Sequence, residues 1–426
     1  MTVAIKPIPC DGLCASCYEA PVRSHTREPF DAAAVLARVD RMIEEHKANP
    51  DVHKDRPTIH GGEPLLIPPA ELELLLQRIH GAWGTTAVQT NAIRLDASHI
   101  EMFKRYQTAV GVSLDGDTGS LNRGRWNRPP ATPDLAEKMT RKTLEKIEAL
   151  TKAGVPVSII AVLRKYNAGP GRLIEFEKFA LRLGAEFGIH SIRMNEAIVQ
   201  DPSRREEEEL TPEELSLAFL NLAGLCLADP ERTWLPFRDI VDLLTGHENG
   251  TCVFNGCDPW KTGGEQTIMA DGSTGGCLKT GAGPDGLQAP QPRLYGRERD
   301  SLLAILPEAH QGCQACRYWP ICRGGCPGTG AAGDWRNKTR FCPAYKALFS
   351  WTEGRIRGLL PNFQSPLDMK TPSSAAALFS ISGSTWQAKD RKTAEEIERA
   401  HLAAPAAEKR QNRPHGDHWD SARGKK

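Results

Sequence analysis

The chain has 426 residues, 40% of them hydrophobic and 25% charged, the balance of a soluble globular protein with room for two or three domains. Lys plus Arg number 54 and Asp plus Glu 53, so the net charge is +1, which excludes a strong general field for nucleic acid or anionic membrane. No apolar run approaches the ~18 residues of a membrane span, and the N-terminal Met-Thr-Val-Ala-Ile-Lys-Pro-Ile-Pro-Cys lacks an apolar signal core. A cytoplasmic protein with no nucleic-acid or membrane partner is expected.

Residues 1–200 alternate helical and strand patterns. Residues 31–48 put Val35, Leu36, Val39, Met42 and Ile43 on one helical side. A short strand over 57–60 ends in Gly61-Gly62. Then follow a helix over 69–80, a strand over 86–89, a helix over 96–106 and a strand over 110–114. A polar helix over 134–153 stops at Gly154. A β-branched strand over 155–163, a helix over 172–183 and a strand over 191–194 complete the series. Such repetition predicts βαβ units, hence an α/β fold with a parallel sheet or barrel.

Past residue 200 the pattern changes. Residues 201–250 read as a helical bridging segment, with a mostly acidic run over 204–209 and a well-capped helix opening at Thr211-Pro-Glu-Glu. Residues 251–345 are Gly- and Cys-rich with weak periodicity, a composition that needs bound metal in place of a large apolar core. Residues 346–384 form a C-terminal extension. The tail over 385–426 reads as mobile, apart from a short helix at 393–403. There is no internal repeat.

Twelve cysteines dominate the chemistry: three at positions 10, 14 and 17, one at 226, and eight between 252 and 342. Clustered thiols in a reducing compartment point to metal or redox chemistry rather than disulfides. Cys10-x3-Cys14-x2-Cys17 puts three thiolates on one loop. They can hold three irons of a [4Fe–4S] cube and leave the fourth iron open for catalysis. A zinc knuckle with a distant fourth ligand is the alternative at this spacing.

With the triplet and two further motifs, residues 1 to about 345 resemble the radical SAM superfamily. His60-Gly-Gly-Glu-Pro64 is similar to the family's GGEP motif, which binds the amino group of S-adenosylmethionine (SAM). Gly111-Val-Ser-Leu-Asp-Gly116 resembles the fourth-strand motif, whose serine, here Ser113, meets the SAM carboxylate. Arg125 stands near the arginine that the family places on that carboxylate, with Arg123 as competitor. Gln89-Thr-Asn91 resembles the third-strand end lining the same pocket. The resemblance thus implies SAM contacts at Gly61, Gly62, Glu63, Pro64, Asn91, Ser113 and Arg125, a cluster on Cys10, Cys14 and Cys17, and a partial (β/α)6 TIM-like barrel. Ser16 replaces the aromatic residue common before the third cysteine, and Tyr18 follows Cys17.

The C-terminal cysteines resemble the SPASM domain, an irregular cysteine-rich module with two auxiliary [4Fe–4S] clusters. The resemblance assigns Cys252, Cys257, Cys277 and Cys326 to the first and Cys313, Cys316, Cys322 and Cys342 to the second. A pair of structural zinc sites is the alternative. Three clusters then use eleven thiols. Cys226, flanked by apolar residues, reads as an inert core thiol. His415 and His418 could bind metal, although a solvated tail is the simpler reading.

The implied chemistry is reductive cleavage of SAM and hydrogen abstraction by a 5′-deoxyadenosyl radical. Two auxiliary clusters imply that an electron leaves afterwards, so cross-linking or oxidation of a ribosomally made peptide or protein is expected. Sulfatase-maturase-like side-chain oxidation is an alternative, but sulfatase maturases carry a catalytic Asp after the third SPASM cysteine, and Leu278 follows Cys277 here, which argues against it. A dehydrogenase of a small molecule such as an amino-sugar remains open, as does a non-catalytic electron-transfer module, although GGEP and the open triplet have no role in the latter. No general base is assigned. Expected partners are a peptide or protein substrate and an electron donor such as flavodoxin or ferredoxin. With nine residues ahead of Cys10, leader recognition is expected at the tail, a barrel face or a separate binding protein.

Overall fold

The computed structural model describes residues 2–6, 10–12, 14, 17–19, 30–50, 56–126, 132–199, 202–247, 251–255, 257, 265–275, 277, 279 and 298–368. Strands β1 (Thr2–Lys6), β2 (Pro57–Ile59), β3 (Thr86–Thr90), β4 (Thr108–Ser113), β5 (Val157–Leu163) and β6 (Ser191–Glu196) pair in parallel, each with its successor in the chain. Strands that add one after another, without reversal, make a barrel wall rather than a doubly wound sheet with a switch point. Among the described residues the sheet order is β7-β6-β5-β4-β3-β2-β1-β8-β9, where β7 is Thr233–Leu235, β8 is Glu265–Met269 and β9 is Thr274–Gly275. This is the α/β fold that the periodicity predicts.

Register lines up the apolar positions. Ile5 pairs with Ile59, Ile59 with Val88 and Val88 with Val110. One step along, Val112, Ile159, Ile192 and Trp234 continue the row across β4 to β7. These side chains are buried in one large core. With a side-chain period of two, the opposite face carries Gln89, Gly111, Ser113 and Ser158. A Cβ on Gly111 would lie 3.3 Å from Ile160 Cδ1 and 3.6 Å from Ser158 Oγ.

The helices follow from amphipathic stripes with defined ends. They are α1 (Ala32–Ala48), α2 (Pro69–Trp83), α3 (Ala97–Arg105), α4 (Pro133–Lys152) and α5 (Leu173–Phe187). Asp31, Asp96 and Thr132 cap α1, α3 and α4 through their side chains. Gly84, at φ +73°, ends α2 in the left-handed conformation that glycine adopts without strain.

Three features differ from the sequence expectation. The N-terminal strand β1 is too short and too apolar to show a period. The bridging segment holds not only α6 (Pro212–Leu227) and α7 (Phe237–Thr245) but also β7, which extends the sheet past β6. The cysteine-rich segment supplies β8, which pairs in parallel with β1 from Thr2↔Glu265 to Lys6↔Met269, so the sheet crosses the boundary expected at 250.

Beyond β9 lie α8 (Glu298–Ile305) and α9 (Cys342–Leu359). Helix α9 packs on α6, with Tyr345 5.5 Å from Phe219 between ring centroids. The tail helix expected at 393–403 lies outside the described residues. Among the described residues no helix is long and apolar enough to cross a membrane.

Candidate functional site

The site lies at the carboxyl ends of the strands, where parallel α/β sheets bind ligands. It starts with Lys6, the last residue of β1, which is fully buried. Its Nζ donates to Glu19 Oε1 at 2.8 Å and to the Tyr18 hydroxyl at 3.4 Å, and lies 3.2 Å from His60 Nδ1. The second carboxylate oxygen of Glu19 accepts the Gly62 amide at 2.7 Å. Burial alone would raise the Glu19 pKa. The charge and hydrogen bond of Lys6, helped by His60 and Gly62, bring it down to about 2 instead. Lys6 and Glu19 flank the cysteine triplet, so their pairing closes the base of its loop. Gly61, at φ +90°, is required for a related reason. A Cβ there would lie 2.2 Å from Lys6 Cδ and 2.6 Å from Glu19 Oε1.

Within the loop the backbone turns between two sulfurs. The Gly12 amide donates to Cys10 Sγ at 3.3 Å, and Cys14 Sγ lies 3.8 Å from the Gly12 carbonyl oxygen. Asp11 anchors the loop to the end of β3. Its two oxygens accept Asn91 Nδ2 at 3.0 Å and Arg94 Nε at 2.7 Å.

Glu63 is 1% exposed. Its carboxylate accepts the Asn91 amide at 2.8 Å, the Leu65 amide at 3.1 Å and the Thr90 hydroxyl. Burial pushes its pKa up to about 7 against those three donors, and nearby Asp11 adds to the rise. Glu63 therefore braces the end of β3, and what acceptor capacity remains is all it can offer a ligand.

Of the two competing arginines, Arg125 faces the cysteine loop. It is 6% exposed, its Nη1 donates to Asp115 Oδ1 at 3.0 Å, and it stands within electrostatic reach of Cys14 and Cys10. Its Nε is buried and has no hydrogen-bond partner among the described residues. Arg123 is exposed, with its guanidinium 5.6 Å from the Tyr166 ring centroid. Asp115, fully buried, also accepts the Val162 amide at 2.9 Å and lies 3.4 Å from Arg164 Nη2. Ser113 ends β4 and is half-buried. Pro64 is buried and opens a single helical turn after Glu63.

The C-terminal cysteines form two groups. Cys313 and Cys322 each lie within electrostatic reach of Cys316 and Cys342 and of one another. Burial first, then the neighbouring thiols, push Cys313 up to about 12. Buried thiols that resist ionising together become thiolates when a cation binds between them, so this donor set fits an iron–sulfur cube. In the other group, Lys279 stands in reach of Cys326, Cys277 and Cys252. Arg299 reaches Cys326 and Cys257 of that group and Cys313 of the group with Cys316, Cys322 and Cys342. Among the described residues no three of His, Cys, Asp or Glu converge tightly enough to hold a single metal ion. A cube binds each thiolate on its own iron and needs no such convergence.

Tyr18 joins the two halves. Its ring centroid lies 5.6 Å from Lys6 Nζ on one side and 5.4 Å from Lys279 Nζ on the other. Ser16, Leu278 and the tail histidines His415 and His418 lie outside the described residues. Cys226 is buried in α6, with its sulfur 3.5 Å from the Arg232 carbonyl oxygen and 3.8 Å from that of Trp234.

Residues 10–176 match the profile of the Radical SAM superfamily. The chain carries a radical SAM domain. Two curated relatives have the same description, "Serine-type anaerobic sulfatase-maturating enzyme". That from Bacteroides thetaiotaomicron is 26% identical over 172 residues, which is 39% of this chain and 40% of that protein. That from Klebsiella aerogenes is 22% identical over 380 residues, 82% of this chain and 84% of that protein. Among solved structures, native anSMEcpe with bound AdoMet and Cp18Cys peptide matches with a TM-score of 0.65 and 17% identity, over 85% of this chain and 99% of that one. At that identity the likeness is one of fold. The radical SAM domain contains β1's cysteine loop and the strand ends bearing Glu63, Asn91 and Ser113.

Lys6, Glu19, Asp11 and Asp115 were not legible as site residues from sequence. The charges beside the triplet and the Asp within Gly111–Gly116 were the available signals. Replacing Lys6 with Met should leave Glu19 buried without its cation and cost about 3–5 kcal/mol, measured by chemical denaturation. The loss should shrink as pH falls through about 2, the Glu19 value, because a protonated carboxyl no longer needs Lys6.

Proposed function

We propose that this chain is a radical SAM/SPASM enzyme that modifies a ribosomally made peptide or protein by cross-linking or oxidation. The observation that carries the reading is the docking of a three-thiol loop, through Asp11 and Asn91, onto the strand ends that bear Glu63 and Arg125. Cys10, Cys14 and Cys17 would hold the SAM cluster. Cys252, Cys257, Cys277 and Cys326 would hold one auxiliary cluster, and Cys313, Cys316, Cys322 and Cys342 the other. When bound, cluster and SAM supply reductive cleavage of a C5′–S bond and a radical able to take a substrate hydrogen.

The protein's own part is binding and orientation. Glu63, close to half-ionised at neutral pH, offers its remaining acceptor capacity to the SAM ammonium. Arg125, held by Asp115, offers its unpartnered Nε to the carboxylate. Gly61, Gly62, Pro64, Asn91 and Ser113 shape the pocket between them. A cytoplasmic setting keeps eleven ligand thiols reduced, and a flavodoxin or ferredoxin is the expected electron source. The peptide class is supported by relatives described as sulfatase-maturating and by a fold neighbour solved with a peptide. Leu278, where maturases of that type carry Asp, argues against sulfatase maturation itself. A separate leader-binding protein would fit this reading.

Co-expression with short peptides encoded beside the gene tests the substrate. Mass spectrometry should show a loss of about two mass units per modification, as expected when two hydrogens leave, together with 5′-deoxyadenosine release that stops when Cys10, Cys14 and Cys17 are all Ala. An unchanged peptide beside an oxidised amino-sugar would overturn the peptide reading, and continued cleavage in the triple variant would overturn the cluster assignment.

Glu63 gives a second test. An ammonium beside it favours its ionised form, so SAM should bind more tightly as pH rises through about 7 and level off above. Glu63→Gln should weaken binding by about 1.5–3 kcal/mol and flatten that profile in calorimetry. A variant that keeps the wild-type profile would remove Glu63 from the ammonium site.

A further inference from the structure

The two C-terminal cysteine groups meet at one buried arginine. Arg299, in α8, is 2% exposed. Its Nε donates to the Trp335 carbonyl at 2.9 Å and its Nη1 to that of Arg323 at 3.1 Å. Its Nη2 lies 3.2 Å from the Gly324 carbonyl oxygen, 3.0 Å from that of Gly325 and 3.3 Å from that of Asn337. These five acceptors are neutral and all lie between Cys322 and Cys342. The loop is wrapped on the guanidinium. Gly324 has φ +76°, and a Cβ there would lie 2.5 Å from Leu303 Cδ1 and 3.4 Å from Arg299 Nη2. The Cys313 amide donates to the Leu303 carbonyl at 2.7 Å, which fixes that cysteine against the same helix.

Carbonyl dipoles solvate a guanidinium but do not neutralise it. A cation this deep needs an anion, since burial of an unbalanced charge is strongly unfavourable. Asp300, its chain neighbour, is half-buried and contributes part of that charge. The remainder faces Cys326 and Cys257 of one group and Cys313 of the other.

We infer that Arg299 is the shared counter-cation of the two auxiliary clusters, held between them by its cage of carbonyls. The inference rests on the cluster assignment proposed above. A cube ligated by four thiolates is net negative and gains one more negative charge on reduction. A fixed positive charge beside it therefore favours the reduced form and raises its potential. Lys279 differs in reach: it faces Cys326, Cys277 and Cys252 of the first group, together with the carboxylate of Glu196. Buried Arg299 and half-buried Lys279 thus both act on the first cluster. On the second, Lys338 and Lys346 also stand in reach of Cys342 and share the single carboxylate of Glu308, at 3.2 and 3.1 Å, which offsets one of their two charges.

The test uses the full chain with Cys10, Cys14 and Cys17 changed to Ala, reconstituted anaerobically and titrated potentiometrically under electron paramagnetic resonance. This background should hold about eight irons, two cubes of four. Stoichiometric zinc, or markedly less iron with all eight thiols intact, would overturn the cluster assignment and the inference with it. Arg299→Gln should move both auxiliary signals to more negative potentials, and Lys279→Met should move one. Arg299→Lys, which keeps the charge and loses the fork, should stay closer to wild type than Arg299→Gln. Arg299→Gln with full iron and unmoved potentials would overturn the inference, and so would a shift of one signal alone. Loss of iron from Arg299→Gln and Arg299→Lys alike would also overturn it, since the carbonyl cage rather than the charge would then be what the site requires.

Discussion

A buried ion pair closes the loop on which everything else depends. Lys6 precedes the cysteine triplet and Glu19 follows it, and their contact at 2.8 Å, away from solvent, brings the two ends of the loop together at the carboxyl end of β1. Glu19 then reaches Gly62 at the end of β2, and Asp11 reaches Asn91 at the end of β3. The loop has little regular structure of its own. Its position comes from three polar contacts to strands whose register is set by the row Ile5, Ile59, Val88 and Val110. Held this way, the loop lies at the strand ends, with Cys10 and Cys14 within electrostatic reach of Arg125.

Charge is distributed around the cysteines in a consistent way. Arg125 faces Cys10 and Cys14, Lys279 faces three thiols of the first C-terminal group, and Arg299 stands between the two groups. Thiols packed together repel one another as thiolates, so burial and crowding alone would keep them protonated. Cations placed beside them relieve part of that cost, and bound iron would relieve the rest. The same distribution explains how a Gly-rich segment with weak periodicity folds against the barrel: its organising contacts are carbonyls on Arg299 and the ring of Tyr18 between two lysines, as well as the apolar packing of α9 on α6.

Sequence patterns carried the regular part of the fold. The helices over Ala32–Ala48 and Pro133–Lys152 and the strands over Thr86–Thr90 and Val157–Leu163 lie within a few residues of where periodicity and caps put them. β1 escaped because five residues are too few to show an alternation. β7 escaped because three residues inside a helical stretch give no period at all. Motif spacing picked out the cysteines, Glu63 and Asn91 as candidates, but not the residues that hold them in place. Lys6 and Glu19 look like ordinary surface charges in one dimension, and only the fold brings them together. Arg123 and Arg125 are two residues apart and equally plausible until the turn after β4 buries one and exposes the other. Motif resemblance singled out Glu63 as a candidate ligand carboxylate, whereas its bracing of β3 depends on Thr90 and Asn91, at the end of another strand.

The most direct test of the central claim is whether SAM binds an open iron at the Cys10, Cys14 and Cys17 loop. Electron–nuclear double resonance on the reduced protein, with SAM labelled by nitrogen-15 at its amino group, reads this contact without reference to any substrate. A hyperfine coupling between the cluster and that nitrogen is expected, and it should vanish when the three cysteines are changed to Ala. A reduced cluster in the wild-type protein with SAM bound but no coupling to the labelled nitrogen would contradict the claim.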